Sequence, residues 1–309
     1  MAISPCEHGL AEAKMAQTLV NTVDGRIFVY FENPPKKGDW IFFLHGYPDS
    51  HETFSYQYDY LKGKYGLLAI DLPGVGQSEP PSSRAGYHIE NLLPRLNQVI
   101  SAIAGEETKL HFVGHDWGAM ILWVYICHPL FSKRVKSFTA ISGPHPAMAR
   151  QNLIDKLGSL EPTKMAEAIR QTLMSGYIFF FQTPFLPEFV WEAAPSFVWK
   201  NTLRRGGLPS YDPMYELPEE KIKAQAIQPI NLYRELLQGM PVDLPRRIEL
   251  PVQLIIPNHD FAISPQIYDN VTNFVTYLTV QSLEANHWVH RERPDAVNRF
   301  LESFIAKNN

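Results

Sequence analysis

Leu110-His111-Phe112-Val113-Gly114-His115-Asp116-Trp117-Gly118-Ala119-Met120-Ile121-Leu122 is the stretch that decides how this chain is read. The apolar run Leu110–Val113 predicts a buried strand. The segment from Ala119 to Cys127 is apolar all round, which predicts a helix buried on every side. Between them lies Gly-His-Asp-Trp-Gly, a strand–turn–helix junction so tight that a Cβ at either flanking glycine would collide with neighbouring backbone. The residue at its centre is presented at a helix N-terminus, where the dipole favours an anion. That residue is Asp116, not serine. An ionised carboxylate needs no base to activate it, and it suits displacement at a saturated carbon, which gives an alkyl ester. A bare G-x-D-x-G also fits an N-cap aspartate in an ordinary turn, so the weight falls on the rest of the chain.

Working outward, short apolar runs at Thr18–Val23, Arg26–Phe31, Trp40–Leu44, Leu67–Ile70, Val135–Ile141, Val252–Ile256 and Phe274–Val280 read as further strands bounded by turn residues. Leu92, Leu93, Leu96, Val99, Ile100 and Ile103 form one face of a helix with Pro94 in its first turn, and Pro294 opens a last helix with a Val297, Phe300, Leu301, Phe304, Ile305 stripe. Strands alternating with helices predict an α/β fold with a mostly parallel sheet covered on both faces. The rhythm breaks between Pro144 and Pro245. There the pattern is helical, and residues 177–199 hold nine aromatics but only Glu188 and Glu192 among the acidic and basic residues. The expected organisation is a core of residues 1–143 and 244–309 with an inserted helical cap, 144–243. Much of the aromatic tract is expected to pack the cap onto the sheet.

Composition narrows the function. The chain has 309 residues, 45% hydrophobic, 12% aromatic and 19% charged, with a net charge of −4. Disorder needs few aromatics and much charge, and nucleic-acid binding calls for a basic face; neither fits. Two cysteines, Cys6 and Cys127, make no disulfide framework, and Cys127 reads as a buried free thiol. No apolar leader opens the chain and no run approaches 18 apolar residues, so neither a signal peptide nor a membrane span is expected, and a cytoplasmic location is. No His/Cys spacing suggests a metal, and no cofactor motif is complete.

An ester-forming nucleophile needs a base for the second half-reaction. In chain order the acid and the histidine should follow the nucleophile, at strand ends. Pro257-Asn258-His259-Asp260 follows the strand Val252–Ile256, and Glu284-Ala285-Asn286-His287-Trp288 follows the last strand. His287 is the candidate base. Asp260 is its orienting acid, with Glu284 as runner-up. After the preceding strand the chain reads Ile141-Ser142-Gly143-Pro144, with no carboxylate. The loop His45-Gly46-Tyr47-Pro48 occupies the place that supplies one oxyanion N–H, so the backbone amides of Tyr47 and Trp117 are the expected oxyanion hole. A largely apolar pocket is expected, with Trp117, Phe181 and Trp288 among its walls.

From about residue 18 onward the sequence resembles the epoxide hydrolases of the α/β-hydrolase fold. The matching elements are H-G-Y-P, D-L-P-G-V-G-Q-S, G-H-D-W-G, the Asp260 loop and N-H-W. Two lie in the cap: Tyr177-Ile178-Phe179-Phe180-Phe181-Gln182-Thr183-Pro184, of the form Y-x-x-x-F-Q-x-P, and Asn231-Leu232-Tyr233-Arg234. The resemblance implies that Tyr177 and Tyr233 hydrogen-bond the epoxide oxygen and assist ring opening. It implies a small hydrophobic epoxide and water as substrates. Haloalkane dehalogenation with the same Asp nucleophile is the alternative. There a halide would need indole donors, for which Trp117 and either Trp191 or Trp199 are candidates.

Overall fold

The computed structural model describes residues 15–35, 38–239 and 243–309. Cys6 and most of the first 17 residues lie outside them. Eight strands form one sheet: β1 (Ala16–Thr22), β2 (Gly25–Glu32), β3 (Trp40–Leu44), β4 (Gly66–Ile70), β5 (Leu110–His115), β6 (Val135–Ile141), β7 (Val252–Pro257) and β8 (Leu278–Leu283). Their order is β1-β2-β4-β3-β5-β6-β7-β8. β2 runs antiparallel to both its neighbours, and every other pairing is parallel. Every residue of β3, β4, β5 and β7 is buried. Their sequences are therefore near-continuous apolar runs rather than alternating ones. The expected α/β architecture is the observed one.

Helices cover the sheet: α1 (Ser55–Leu61), α2 (Ile89–Ala104) and α3 (Trp117–Cys127) early in the chain. Nine of the eleven residues of α3 are buried, which fits its apolar circumference. Between β6 and β7 come α4 (Pro146–Leu157), α5 (Pro162–Met174), α6 (Tyr177–Gln182), α7 (Leu186–Ala193), α8 (Pro195–Arg205), α9 (Glu219–Ala226) and α10 (Ile230–Gly239), with no strand among the described residues. α11 (Val289–Glu292) and α12 (Pro294–Lys307) close the chain. α12 starts at Pro294 and buries Val297, Leu301, Phe304 and Ile305. No described helix is long and apolar enough to cross a membrane.

Four local expectations are corrected. Pro94 is the sixth residue of α2, not in its first turn. The hydrogen bond that proline cannot donate would have gone to the carbonyl of Glu90 (i−4), an exposed residue with water at hand. The last strand is Leu278–Leu283 rather than Phe274–Val280. Phe274 ends a short 3₁₀ turn, and Val275 is buried while its backbone bridges Ile248, so these apolar residues pack below the strand rather than in it. Cys127 is half-buried, and burial pushes its thiol up to about 12. In the aromatic tract, Phe181, Trp191 and Trp199 are buried as expected, but Phe179, Phe185, Phe189 and Phe197 are 66–83% exposed.

Candidate active site

The turn after β5 carries Asp116 at φ 52°, a strained conformation for a residue with a side chain. Two facts make it affordable. The Asp116 backbone N–H donates to Ile141 O at 3.0 Å, which ties the turn to β6. The flanking glycines leave room: a Cβ on Gly114 would stand 2.6 Å from the Ala119 nitrogen, and one on Gly118 would run into the Leu44 carbonyl. Asp116 therefore projects from the strand end, 5% exposed, at the N-terminus of α3.

Three strand ends converge here. His287 Nδ1 lies 2.8 Å from Asp260 Oδ2, and His287 Nε2 lies 3.6 Å from Asp116 Oδ2. Asp260 is fixed in turn, since its Oδ1 accepts from the amides of Ala262 at 2.8 Å and Ile263 at 3.1 Å. The backbone of His287 is held by two donors to its carbonyl, Ser142 Oγ at 2.9 Å and His115 Nε2 at 3.0 Å. Glu284 points elsewhere. It accepts from Asn258 Nδ2 and pairs with His259 Nε2 at 2.7 Å on the surface. Of the two carboxylates weighed from sequence, Asp260 is the one on the ring.

The charges explain each other. Burial raises the Asp116 pKa, opposed by the His287 charge and by the N–H groups of Tyr47 and Trp117. Burial alone would lower that of His287. The adjacent Asp260 charge and hydrogen bond, followed by the Asp116 and Asp49 charges, outweigh it and lift the imidazole to about 9. The Tyr47 amide already donates to Asp116 Oδ1 at 2.8 Å. The two expected oxyanion amides thus face the carboxyl where a tetrahedral oxyanion would form.

Above Asp116 lies a cavity of about 640 Å³. Tyr47, Tyr177, Phe181, Trp191, Tyr233 and Trp288 line it, together with Asp116 and His287. Phe181 stacks on Tyr233 with centroids 4.5 Å apart, and Tyr177 meets Tyr233 edge-on at 5.8 Å. Burial is the first cause of a raised pKa for both phenols, and the Asp116 charge raises each further, so both stay protonated in the field of that carboxylate. Trp117 is a correction. Its ring is not among the cavity residues; it packs edge-on behind Tyr233 at 5.1 Å and supports that ring instead. Two of the three candidate indoles for a halide are already engaged: Trp191 Nε1 donates to Tyr47 Oη at 2.8 Å and Trp199 Nε1 to Met214 O at 2.7 Å.

Three residues that sequence reasoning passed over hold the two tyrosines in register. Gln182 Nε2 donates to Tyr233 O at 2.7 Å. Arg234 Nε and Nη2 each donate at 3.1 Å, to the carbonyls of Phe181 and Thr183. Its guanidinium also grips Glu188 at 2.6 and 3.0 Å. The Gln of Y-x-x-x-F-Q-x-P and the Arg of N-x-Y-R thus tie α6 to α10. Their place inside those two segments was the available signal. Arg234→Met should lower turnover about tenfold by loosening this geometry, a 1 Å misplacement being costly. Arg234→Lys should recover little, since a planar fork is needed. Steady-state kinetics on both variants, with melting curves to separate unfolding from misplacement, checks this.

Comparison with known proteins agrees with this architecture. A family model described as alpha/beta hydrolase fold matches residues 39–294. The chain belongs to the α/β-hydrolase fold family. Among curated proteins it is 28% identical over 295 residues to "Probable oxidoreductase EphD" of Mycobacterium tuberculosis, covering 93% of this chain and 49% of that one. It is 26% identical over 277 residues to "Epoxide hydrolase 4" of Homo sapiens, covering 85% and 71%. The chain thus spans about half the length of the mycobacterial relatives it matches. Among solved structures, an epoxide hydrolase of Bacillus megaterium in complex with an inhibitor superposes with TM-score 0.73 at 24% identity, over 94% of this chain and all of that one. Epoxide hydrolase VrEH1 from Vigna radiata gives 0.71 at 23%, over 95% and 98%.

Proposed function

We propose that this protein is an epoxide hydrolase that converts hydrophobic epoxides to vicinal diols through an ester on Asp116. The observation that carries the reading is a carboxylate, not a hydroxyl, at the strand–helix turn. It faces a histidine held by Asp260 and two phenols across an apolar cavity. Relatives and neighbours named as epoxide hydrolases support it.

In this reading residues 144–243 form a cap that supplies the phenols and encloses the substrate. Asp116 attacks an epoxide carbon and the C–O bond breaks. The departing oxygen takes a proton from Tyr177 or Tyr233, which His287 restores, leaving a neutral imidazole. Forming the ester also deletes the Asp116 charge, which helps to hold a proton on His287. The histidine thus becomes a base at the stage that needs one. It takes a proton from water, and the hydroxide attacks the Asp116 carbonyl. The Tyr47 and Trp117 amides stabilise the oxyanion, an effect of about 2.7–4 kcal/mol per donor in a comparable hole. Collapse releases the diol alkoxide, which takes the proton of the new carboxylic acid. Asp116 is again a carboxylate and His287 again charged.

Turnover of a styrene oxide panel, with halide release from alkyl halides measured in parallel, tests the activity. Diol without halide is expected; halide release without diol would overturn the reading. Changing both Tyr177 and Tyr233 to Phe should slow ester formation by about 10²–10⁴-fold and leave ester hydrolysis nearly unchanged. Pre-steady-state rates unchanged in the double variant would remove the phenols from the mechanism.

A further inference from the structure

Five phenylalanines of the aromatic tract stand in solvent: Phe179, Phe185, Phe189 and Phe197 are 66–83% exposed, and Phe180 is 36% exposed. They gather around one opening. Phe180 lines the cavity above Asp116, and so does Leu173, which is 76% exposed, so both stand at its mouth. Phe189 and Phe197 directly precede Val190 and Val198, which line the same cavity. Met165, Ile169 and Leu173 recur every four residues on α5 and carry the exposed apolar surface away from the mouth along one helix face. Phe185 has a left-handed backbone, φ 63°, which a bulky side chain rarely adopts, and its ring gains no burial in return. Apolar exposure concentrated around an opening, unlike single scattered residues, marks contact with something outside the fold.

The charges around the patch identify the contact. Between Leu160 and Gly207 the acidic residues are Glu161, Glu167, Glu188 and Glu192. Each has a basic partner: Lys164 at 2.8 Å, Lys156 at 2.7 Å, Arg234 at 2.6 Å and Lys223 at 3.4 Å respectively. Arg170, Lys200 and Arg204 are exposed and have no acidic partner among the described residues. Lys200 and Arg204 stand three and seven residues after Phe197, on its face of α8, and Arg170 stands three before Leu173 on α5. On a chain of net charge −4, this face thus sets uncompensated cations beside phenyl rings. A second copy of the chain fits it poorly, because a two-fold contact puts the same patch on both subunits and turns these cations on each other. Aromatic and aliphatic side chains rimmed by Lys and Arg match the acyl and headgroup layers of a bilayer. We infer that the cap docks on an anionic lipid surface with the cavity mouth turned toward it. An apolar epoxide then passes from the acyl chains to Asp116 without crossing bulk water. That passage rests on the epoxide-hydrolase reading; the docking does not.

Flotation with phosphatidylcholine vesicles, with and without phosphatidylglycerol, tests the docking without turnover. The wild type should partition about tenfold more onto the vesicles that contain phosphatidylglycerol and lose most of that preference at high salt. Phe185→Ser, Phe189→Ser and Phe197→Ser together should lower partition onto those vesicles by about tenfold or more. Lys200→Glu with Arg204→Glu should bring the two vesicle types level. Both multiple variants should keep the wild-type melting curve and turnover of dissolved styrene oxide. Phe189→Trp gives a second readout, because all six native tryptophans are buried: its added emission should be quenched by lipid with brominated chains. The inference is overturned if the wild type floats with neither vesicle or equally with both, if the triple variant floats like the wild type, or if bound Phe189→Trp is not quenched. A concentration-dependent dimer that the triple variant abolishes would overturn it too, since a second copy would then cover the patch. With a long-chain alkyl epoxide dissolved in the vesicles, the triple variant should lose turnover in step with its lost binding. If no epoxide is opened while flotation depends on the phenylalanines, the epoxide reading has failed and the docking has not.

Discussion

His287→Gln should accept one equivalent of epoxide and then stall. The variant keeps the ionised nucleophile, both phenols and the oxyanion amides, so ring opening has what it needs. It lacks the imidazole, 3.6 Å from the Asp116 carboxylate, that the proposed route uses to deprotonate water. Ester hydrolysis should slow by about 10²–10⁴-fold, the usual contribution of a positioned base. Intact-protein mass spectrometry after mixing should show one added substrate mass, and peptide mapping should place it on the segment containing Asp116. A variant that turns over normally would remove His287 from the second half-reaction, and one that binds substrate but never gains mass would place its role in ring opening instead.

Asp116→Asn should abolish turnover more completely, by about 10⁴-fold or more, because the amide is neutral and no other carboxylate is among the described residues that line the cavity. The same change carries a signature in the resting protein. Burial opposes protonation of His287, and the pairing with Asp260, with a smaller contribution from the Asp116 charge, raises the ring to about 9. NMR titration should place the wild-type His287 near pH 9 and move it to lower pH in Asp116→Asn, since Asp260 remains but one negative charge is gone. The sign follows from linkage: removing an anion disfavours the protonated ring. A titration unchanged or moved upward would contradict the electrostatic coupling on which the timing of the base depends.

The parts of this architecture that periodicity controls were legible in the sequence. β3 and β6 fall at the predicted residues, and α12 starts at Pro294, because each is a buried run or stripe with a clear boundary residue. The turn around Asp116 was legible because strain demands glycine on both sides. β8 was displaced because it is an edge strand with half-exposed residues, whereas the more apolar Phe274 and Val275 pack below it. The five exposed phenylalanines of the aromatic tract, Phe179, Phe180, Phe185, Phe189 and Phe197, follow no rule that hydrophobicity supplies, since apolar character does not say which neighbour arrives to cover it. At the site, chain order pointed to Asp260 and His287, but the choice between Asp260 and Glu284 needed geometry. Both stand at strand ends, and only the loop amides of Ala262 and Ile263 aim Asp260 inward. Trp117 shows the converse limit. Its position next to the nucleophile suggested a pocket wall, while the start of α3 turns its ring behind Tyr233.

The claim on which the rest depends is that Asp116 forms a covalent ester, and a single turnover in ¹⁸O-water tests it most directly. With enzyme in excess over an epoxide such as styrene oxide, the diol takes its new oxygen from the Asp116 carboxylate, and water replaces that oxygen in the protein. The account predicts an unlabelled diol and one heavy oxygen on the peptide containing Asp116, recovered by digestion and mass spectrometry. If the label instead appears in the diol during that first turnover, water attacked the epoxide directly. Asp116 would then be a base or an orienting group, and the two-step route would be wrong.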